Sequence, residues 1–437
     1  MNRLLWATLA CRASFAFPAG SRNTGQAVLH NFKRKARPFG NLGGAGCALR
    51  ATRVIWFNLA AGFAILGGFS ASAEELGAGA PPSGYDEKLA DYQAARASFE
   101  SEAGPYWQSV ADKRRLRNEK RRRSEIVALE DYVLTQPPIY AGPPEPADLG
   151  KPGGEQPKAD RPPVPVVADF VRNAKEQFGF VPDRPTSERD FKNAYAARAK
   201  KAGLTRDQVV RIYGFESGGD AKYDVQAGLE YPRPDARPIS TALGYNQLLC
   251  TNSVELLAEK GDAFLSILGA KANAAASGGT GLSQKLDILG RMIDFARTVP
   301  DEWSAHEGLA AEPQGLGIHA LNLDVDIGPL LQVQKLLDSV KFAKAKGFAR
   351  PLTAAELEMM NLTGDGSGFD MVTMPPQMRE RVPTSNFFQR GGYERNPVAR
   401  RNDTVAKLIA ATDAKMDTEA RLSGAKALSD AYDLELP

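Results

Sequence analysis

The chain has 437 residues, 43% hydrophobic and 24% charged. That composition excludes a wholly disordered chain, a collagen-like repeat and a polytopic membrane protein. The formal charge of +3 hides a split: residues 1–73 hold nine basic residues and no acidic one, leaving 46 basic against 52 acidic residues in 74–437. A body with a net charge of −6 argues against nucleic acid as a partner.

Val54 to Phe69 is an apolar run of 16 residues, preceded by Arg50 and Arg53 and followed by Ala71-Ser72-Ala73. A basic flank, an apolar stretch and an A-x-A site in that order read as a signal peptide cut after Ala73. Export, most simply to a periplasm, is the expectation, with Glu74 as the mature N-terminus. An uncleaved anchor is the alternative, and only then is a membrane involved. Residues 1–50 do not belong before such a signal. They read as an over-extended start or as an Arg-rich, acid-free transit segment. Cys11 and Cys47 lie in the leader, so Cys250 stands alone and no intrachain disulfide framework is expected.

Residues 74–136 read as a charged helical segment. Leu89, Tyr92, Ala95 and Phe99 keep helical spacing, and Gly104-Pro105 predicts a break before a second helix starting near Tyr106. That helix carries Lys113, Arg114, Arg115, Arg117, Lys120 and Arg121 to Arg123. The run suits an anionic polymer or lipid head groups. A solvated face answered by Glu119, Glu125, Glu130 and Asp131 is the plainer expectation. Residues 137–166 hold ten of the 29 prolines and read as an extended linker.

From Val167 the pattern is mostly helical. Predicted helices are Ser187–Ala202, one opening at Thr205, Ser253–Leu268, Ser283–Arg297, Ile327–Lys346, Ala354–Asn361, Asp403–Asp413 and Thr418–Tyr432. Thr205 with Gln208 fits a capping box, and Gly218-Gly219 ends that helix. A short hairpin fits within 223–243. Gly364 to Asp370 lacks the spacing of a calcium loop and reads as a Gly-rich turn. Phe387, Phe388 and Tyr393 suit either a sugar-stacking wall or, more simply, the core.

Two motifs point to chemistry: Tyr213-Gly214-Phe215-Glu216-Ser217-Gly218-Gly219 and Gly244-Tyr245-Asn246-Gln247-Leu248-Leu249. They resemble the lysozyme-like soluble lytic transglycosylases, with weaker matches at Leu323 to Gly328 and Glu358 to Gly364. The resemblance spans roughly residues 187–365. Asn246 stands where the family has Met, Met359-Met360 where it has Ala-Tyr, and 262–320 looks like an insertion. The resemblance implies a mainly α fold: a lysozyme-like domain over 167–398, an N-terminal helical extension and C-terminal helices in 399–437. It implies an enzyme that cuts the β-1,4 bond between N-acetylmuramic acid and N-acetylglucosamine in peptidoglycan glycan strands. One catalytic carboxyl, Glu216, protonates the leaving oxygen, and the sugar's own 6-hydroxyl closes a 1,6-anhydro ring. Ser217, Gly244, Tyr245, Asn246, Gln247 and Asn361 would line the substrate site.

The residues support part of this directly. A carboxyl at a helix C-terminus beside Tyr213 and Phe215 meets both the negative end of the helix dipole and desolvation, so its pKa should rise. A general acid needs that state near neutral pH. A hydrolytic lysozyme type would need a second carboxylate, for which Asp220, Asp224 and Asp235 are candidates. A non-catalytic wall-binding or scaffold protein with this fold is the reading from a different class. His306 and His319 are too few for a His-rich zinc site, so neither metal nor cofactor is expected, and a thiol dyad of Cys250 with either has no local signature.

Overall fold

The structure is a computed structural model, and it describes residues 84–146, 163–229, 235–274 and 280–434. The leader, its cleavage site and residues 147–162 of the Pro-rich stretch lie outside the described residues. All the described residues fall in one compact unit. They are mainly helical, with isolated bridges and no strand, and no helix among them is long and apolar enough to cross a membrane.

Helix α1 is Tyr85–Arg122, followed by a 3-10 turn at Leu129–Asp131. The body then runs α2 (Val167–Phe178), α3 (Glu188–Ala202), α4 (Arg206–Ser217), α5 (Cys250–Ala274), α6 (Thr280–Ala296), α7 (Trp303–Ala310) and α8 (Pro313–His319). It continues with α9 (Gly328–Ala345), α10 (Ala354–Thr363), α11 (Asp365–Thr373), α12 (Pro376–Arg379), α13 (Arg390–Glu394), α14 (Pro397–Arg401), α15 (Val405–Glu419) and α16 (Ser423–Asp433).

Local sequence sets the boundaries around the site. Ser187 caps α3 and Thr205 caps α4, each in a capping box closed by Asp190 and Gln208. Gly203 (φ 82°) and Gly218 (φ 72°) end these helices in the left-handed region. Thr353 with Glu356 opens α10 in the same way. Helix α4 is buried almost throughout and packs against α10, α15 and α16. Close approach explains Gly214, where an added Cβ would lie 3.2 Å from the α15 backbone.

Two sequence expectations are corrected. Helix α1 runs unbroken through Pro105. Proline removes one N–H from the ladder and disfavours a helix interior, but tertiary anchors hold the next turns. The Tyr106 hydroxyl donates to Thr135 O at 3.0 Å and bonds Ser385 Oγ at 2.7 Å, and Ala103, Val110 and Arg117 are buried. Gly364 to Asp370 is a turn only at Gly364 (φ 82°); the rest is α11. Gly368 lies so close to α10 that a Cβ there would be 2.3 Å from Met360 Cα. The glycines of this stretch thus serve a helix crossing as well as a bend.

The basic face of α1 is neither bare nor merely solvated. Arg114 Nη2 donates to Asn386 O (3.0 Å) and Phe388 O (2.8 Å). Lys120 Nζ donates to both Asp131 oxygens at 2.7 Å. Phe387, Phe388 and Tyr393 are buried and pack with Tyr132 and Trp107, so these rings belong to the core. Part of the Pro-rich stretch also packs: Tyr140 makes edge contacts with Tyr92 and Phe99 and sits under Arg96. The described residues of 262–320 are built into the body. Helix α6 packs on α5, and α8 packs on α2.

Candidate functional site

Glu216 occupies the last turn of α4 and is 1% exposed. Its Oε1 accepts from Asn361 Nδ2 of α10 at 2.7 Å. Its Oε2 is buried without a donor. Glu358 lies beside it, one turn before Asn361 on α10, close enough for the two carboxyls to act as hydrogen-bond partners. Glu358 is fully buried, and no donor is aligned on either of its oxygens, although Asn361 lies near enough to lower its pKa. Spacing i, i+3 puts Glu358 and Asn361 on one helix face, which explains why both meet Glu216.

Desolvation by burial pushes Glu216 up to about 8 from the ordinary 4.5; the Glu358 hydrogen bond, the Lys335 charge and Asn361 oppose it. Glu358 is raised well above the same value, first by burial and then by the Glu216 charge. Three buried carboxyl oxygens without a donor make the same point by geometry, because a proton on the pair supplies the missing donor.

Linkage gives this a measurable sign. The folded chain holds a proton on Glu216 that the unfolded chain releases near 4.5, so stability should fall as pH rises from there through about 8. Urea midpoints measured across this window should decline in the wild type and decline less in Glu216→Gln. Equal slopes in both would contradict the raised value.

The second motif forms a tight turn. Leu243 N donates to Leu248 O at 2.9 Å, Leu248 N returns to Leu243 O at 3.0 Å, and Gly244 N donates to Val225 O at 2.9 Å. Of the hairpin expected within 223–243, the described residues show single bridges from Leu243 to Gln226 and to Leu248, and residues 230–234 lie outside them. Gly244 has φ 82°, and a Cβ there would lie 2.6 Å from Gln332 Nε2 of α9. Gly244→Ala should therefore cost about 1–3 kcal/mol, read as a lower urea midpoint; an unchanged midpoint would refute the strain argument.

The other predicted site residues face protein partners. Tyr245 donates to Glu188 and packs edge-on against Phe191, Tyr195 and Tyr213. Asn246 Nδ2 donates to Gln332 O at 2.7 Å and to the Tyr195 hydroxyl at 2.9 Å. Ser217 Oγ donates to Tyr213 O at 2.6 Å, one turn back in α4. Gln247, at φ 45°, donates from Nε2 to Gly244 O at 2.8 Å, and its Oε1 is buried without a donor. The structure thus joins Glu216 to Asn361 and uses Tyr245 and Asn246 to pack the turn.

Asp220 accepts from Ser423 Oγ (2.7 Å) and Gly424 N (2.8 Å), and Asp224 pairs with Arg184 at 3.4 Å. The carboxyl beside Glu216 is Glu358, which the sequence reading quoted within a motif without giving it a role. Cys250 is buried, and burial pushes its thiol up to about 12. His319 is bonded to Ser253 Oγ and Thr241 O, both at 2.8 Å, and burial lowers it to about 4. Among the described residues no group of three or more His, Cys, Asp or Glu is placed to hold a metal ion. An open cavity of about 760 Å³ lies along α2, lined by Val167, Val171, Arg172, Lys175 and Arg184 among others, and includes none of the predicted site residues.

Fold and site together define a helical protein with a buried carboxyl pair clamped between two of its helices. No family model, no curated protein and no solved structure matches the chain.

Proposed function

We propose that the chain is an exported lytic transglycosylase with a lysozyme-like fold that cuts peptidoglycan glycan strands, with Glu216 as its general acid. One observation carries the reading: a helix-end carboxyl, 1% exposed, is bonded by Asn361 of the Glu358 to Gly364 motif, 145 positions away, and burial raises its pKa. A carboxyl in that state is protonated at neutral pH and can give its proton to a leaving glycosidic oxygen. The sugar's 6-hydroxyl then attacks the anomeric carbon and returns its proton to Glu216. The bond to the leaving oxygen breaks, the anhydro ring forms, and no water is consumed. Purified chain incubated with wall glycan should yield anhydro ends, lighter by one water than hydrolysed ends.

A second reading, a non-catalytic wall-binding or scaffold protein, is favoured by one observation: the Glu216 carboxyl is 1% exposed, so a glycan reaches it only if neighbouring groups move. Glycan retained by the clean chain without any new ends would select this reading.

A further inference from the structure

Glu358 is a buried acid that the single-carboxyl chemistry does not use, and it touches the one carboxyl that chemistry needs. We propose that Glu216 and Glu358 work as one acid pair, in which the protonated Glu358 is the positioning residue that donates a hydrogen bond to Glu216 once Glu216 has given up its proton. This deepens the reading of Glu216 as a general acid and rests on it for its catalytic meaning.

The geometry argues for the pair in three steps. Both carboxyls are buried, Glu216 on α4 and Glu358 on α10, two helices packed directly together. Asn361 supplies one donor, to Glu216 Oε1 at 2.7 Å. No protein donor is aligned on the other Glu216 oxygen or on either Glu358 oxygen, although the Asn361 amide is near enough to favour the Glu358 anion too. Two ionised carboxylates so placed would repel, with the Asn361 amide and the Lys335 charge alone to answer them, whereas one shared proton answers two oxygens at once. Among the described residues the cation that acts on both carboxyls by charge is Lys335 of α9, half-buried. Lys335 also faces Glu255 of α5 and Asp365 of α11, so its charge is divided among four acids.

The chemical consequence concerns the moment after proton donation. Glu216 becomes a carboxylate in a site with few donors. Asn361 holds one oxygen; the acid proton of Glu358 holds the other. No proton need leave Glu358, so the balance of the glycan reaction is unchanged. Because the two sites interact strongly, the protons leave in two steps that belong to the pair. Glu216 ionises first, since its Oε1 holds the aligned Asn361 bond at 2.7 Å and Glu358 donates to its anion.

Carboxyl titration of the full chain tests this, using ¹³C-glutamate NMR and the infrared band of protonated acids. Wild type should keep a protonated Glu358 at neutral pH and show two coupled steps, each resonance reporting both. Glu216→Gln should leave one step, moved down by one pH unit or more, because the like charge is gone. Glu358→Leu should raise the Glu216 step, because the donor to its anion is lost, and should slow any glycan cleavage ~10–100-fold. Glu358→Gln restores an N–H donor and should recover most of that loss. Glu358 ionised at neutral pH, or a Glu358 step indifferent to Glu216→Gln, would overturn the pair. The wild-type titration stands alone if a variant fails to fold. A coupled pair in a chain that cuts no glycan would remove the catalytic reading and keep the pair; cleavage with independent titrations would do the reverse.

Discussion

Glu216→Gln should fold as the wild type does and lose glycan cleavage by ~10²–10⁴-fold, the usual contribution of general acid–base help. The amide keeps the volume of the carboxyl and can still accept from Asn361 Nδ2, which lies 2.7 Å from Oε1 in the wild type. It cannot give a proton to a leaving oxygen. It also removes one member of a buried acid pair, so the variant should be no less stable near neutral pH, where the carboxyl is costly to ionise. Stability held with activity lost is the expected pattern, read from urea midpoints and from mass spectrometry of soluble fragments. The products decide the chemistry. Anhydro ends support attack by the 6-hydroxyl; hydrolysed ends would shift the reading to a water-using lysozyme type. An unchanged rate in Glu216→Gln would show that another group donates the proton.

The pH profile of that activity follows from the same carboxyl. The acid form is lost as pH rises through about 8, so cleavage should fall on that limb. Glu358 and Asn361 adjust the position of the limb by bonding the anion, and Lys335 by its charge.

The site was partly legible in the sequence because some signals are local. Thr205, Gln208 and Gly218 fix the ends of α4, and so fix Glu216 in its last turn. The meeting of Glu216 with Asn361 is a long-range contact that periodicity does not encode; only the resemblance of short motifs suggested it. Glu358 went unread for a related reason. Its role depends on which face of α10 turns toward α4, and Ala354 to Met360 are all buried, so no polar stripe marks that face. Asn246 enters the expected substrate site through the family resemblance alone, although the family has Met there. Its partners, Gln332 and Tyr195, come from α9 and α3, and nothing in the sequence places those helices around the turn. Pro105 is the opposite case, a strong local rule overridden by contacts that arrive from residues 135 and 385.

Arg117 of α1 should prove the most costly single loss to folding: Arg117→Ala is expected to destabilise the chain by about 3–5 kcal/mol, the range for removing one partner of a buried ion pair. The side chain is 1% exposed, and burial lowers the pKa of its guanidinium, which is still held by partners on every side. Nη1 donates to Asp131 O at 3.0 Å, and Nη2 donates to Asn386 O at 3.2 Å. Nε lies 3.5 Å from Asp370 Oδ2, and the guanidinium stands 4.3 Å over the Tyr132 ring. Tyr132 in turn donates to Asp370 Oδ1 at 2.7 Å, and Asp370 also pairs with Arg121. One planar cation therefore joins α1 and the 129–131 turn to α11 and the 384–387 turn, two regions far apart in sequence. Its loss opens a cavity, takes the side-chain donor from Asp131 O, leaves Asn386 O to Arg114 alone and leaves Asp370 with a single, partly exposed cation. Arg117→Lys keeps the charge but cannot span Asp131 and Asn386 with one fork, so it should recover only part of the stability. Urea melts followed by circular dichroism would read both. A midpoint for Arg117→Ala within error of wild type would mean that α1 is held by its apolar contacts alone, through Ala103, Val110 and the Trp107–Tyr393 pair.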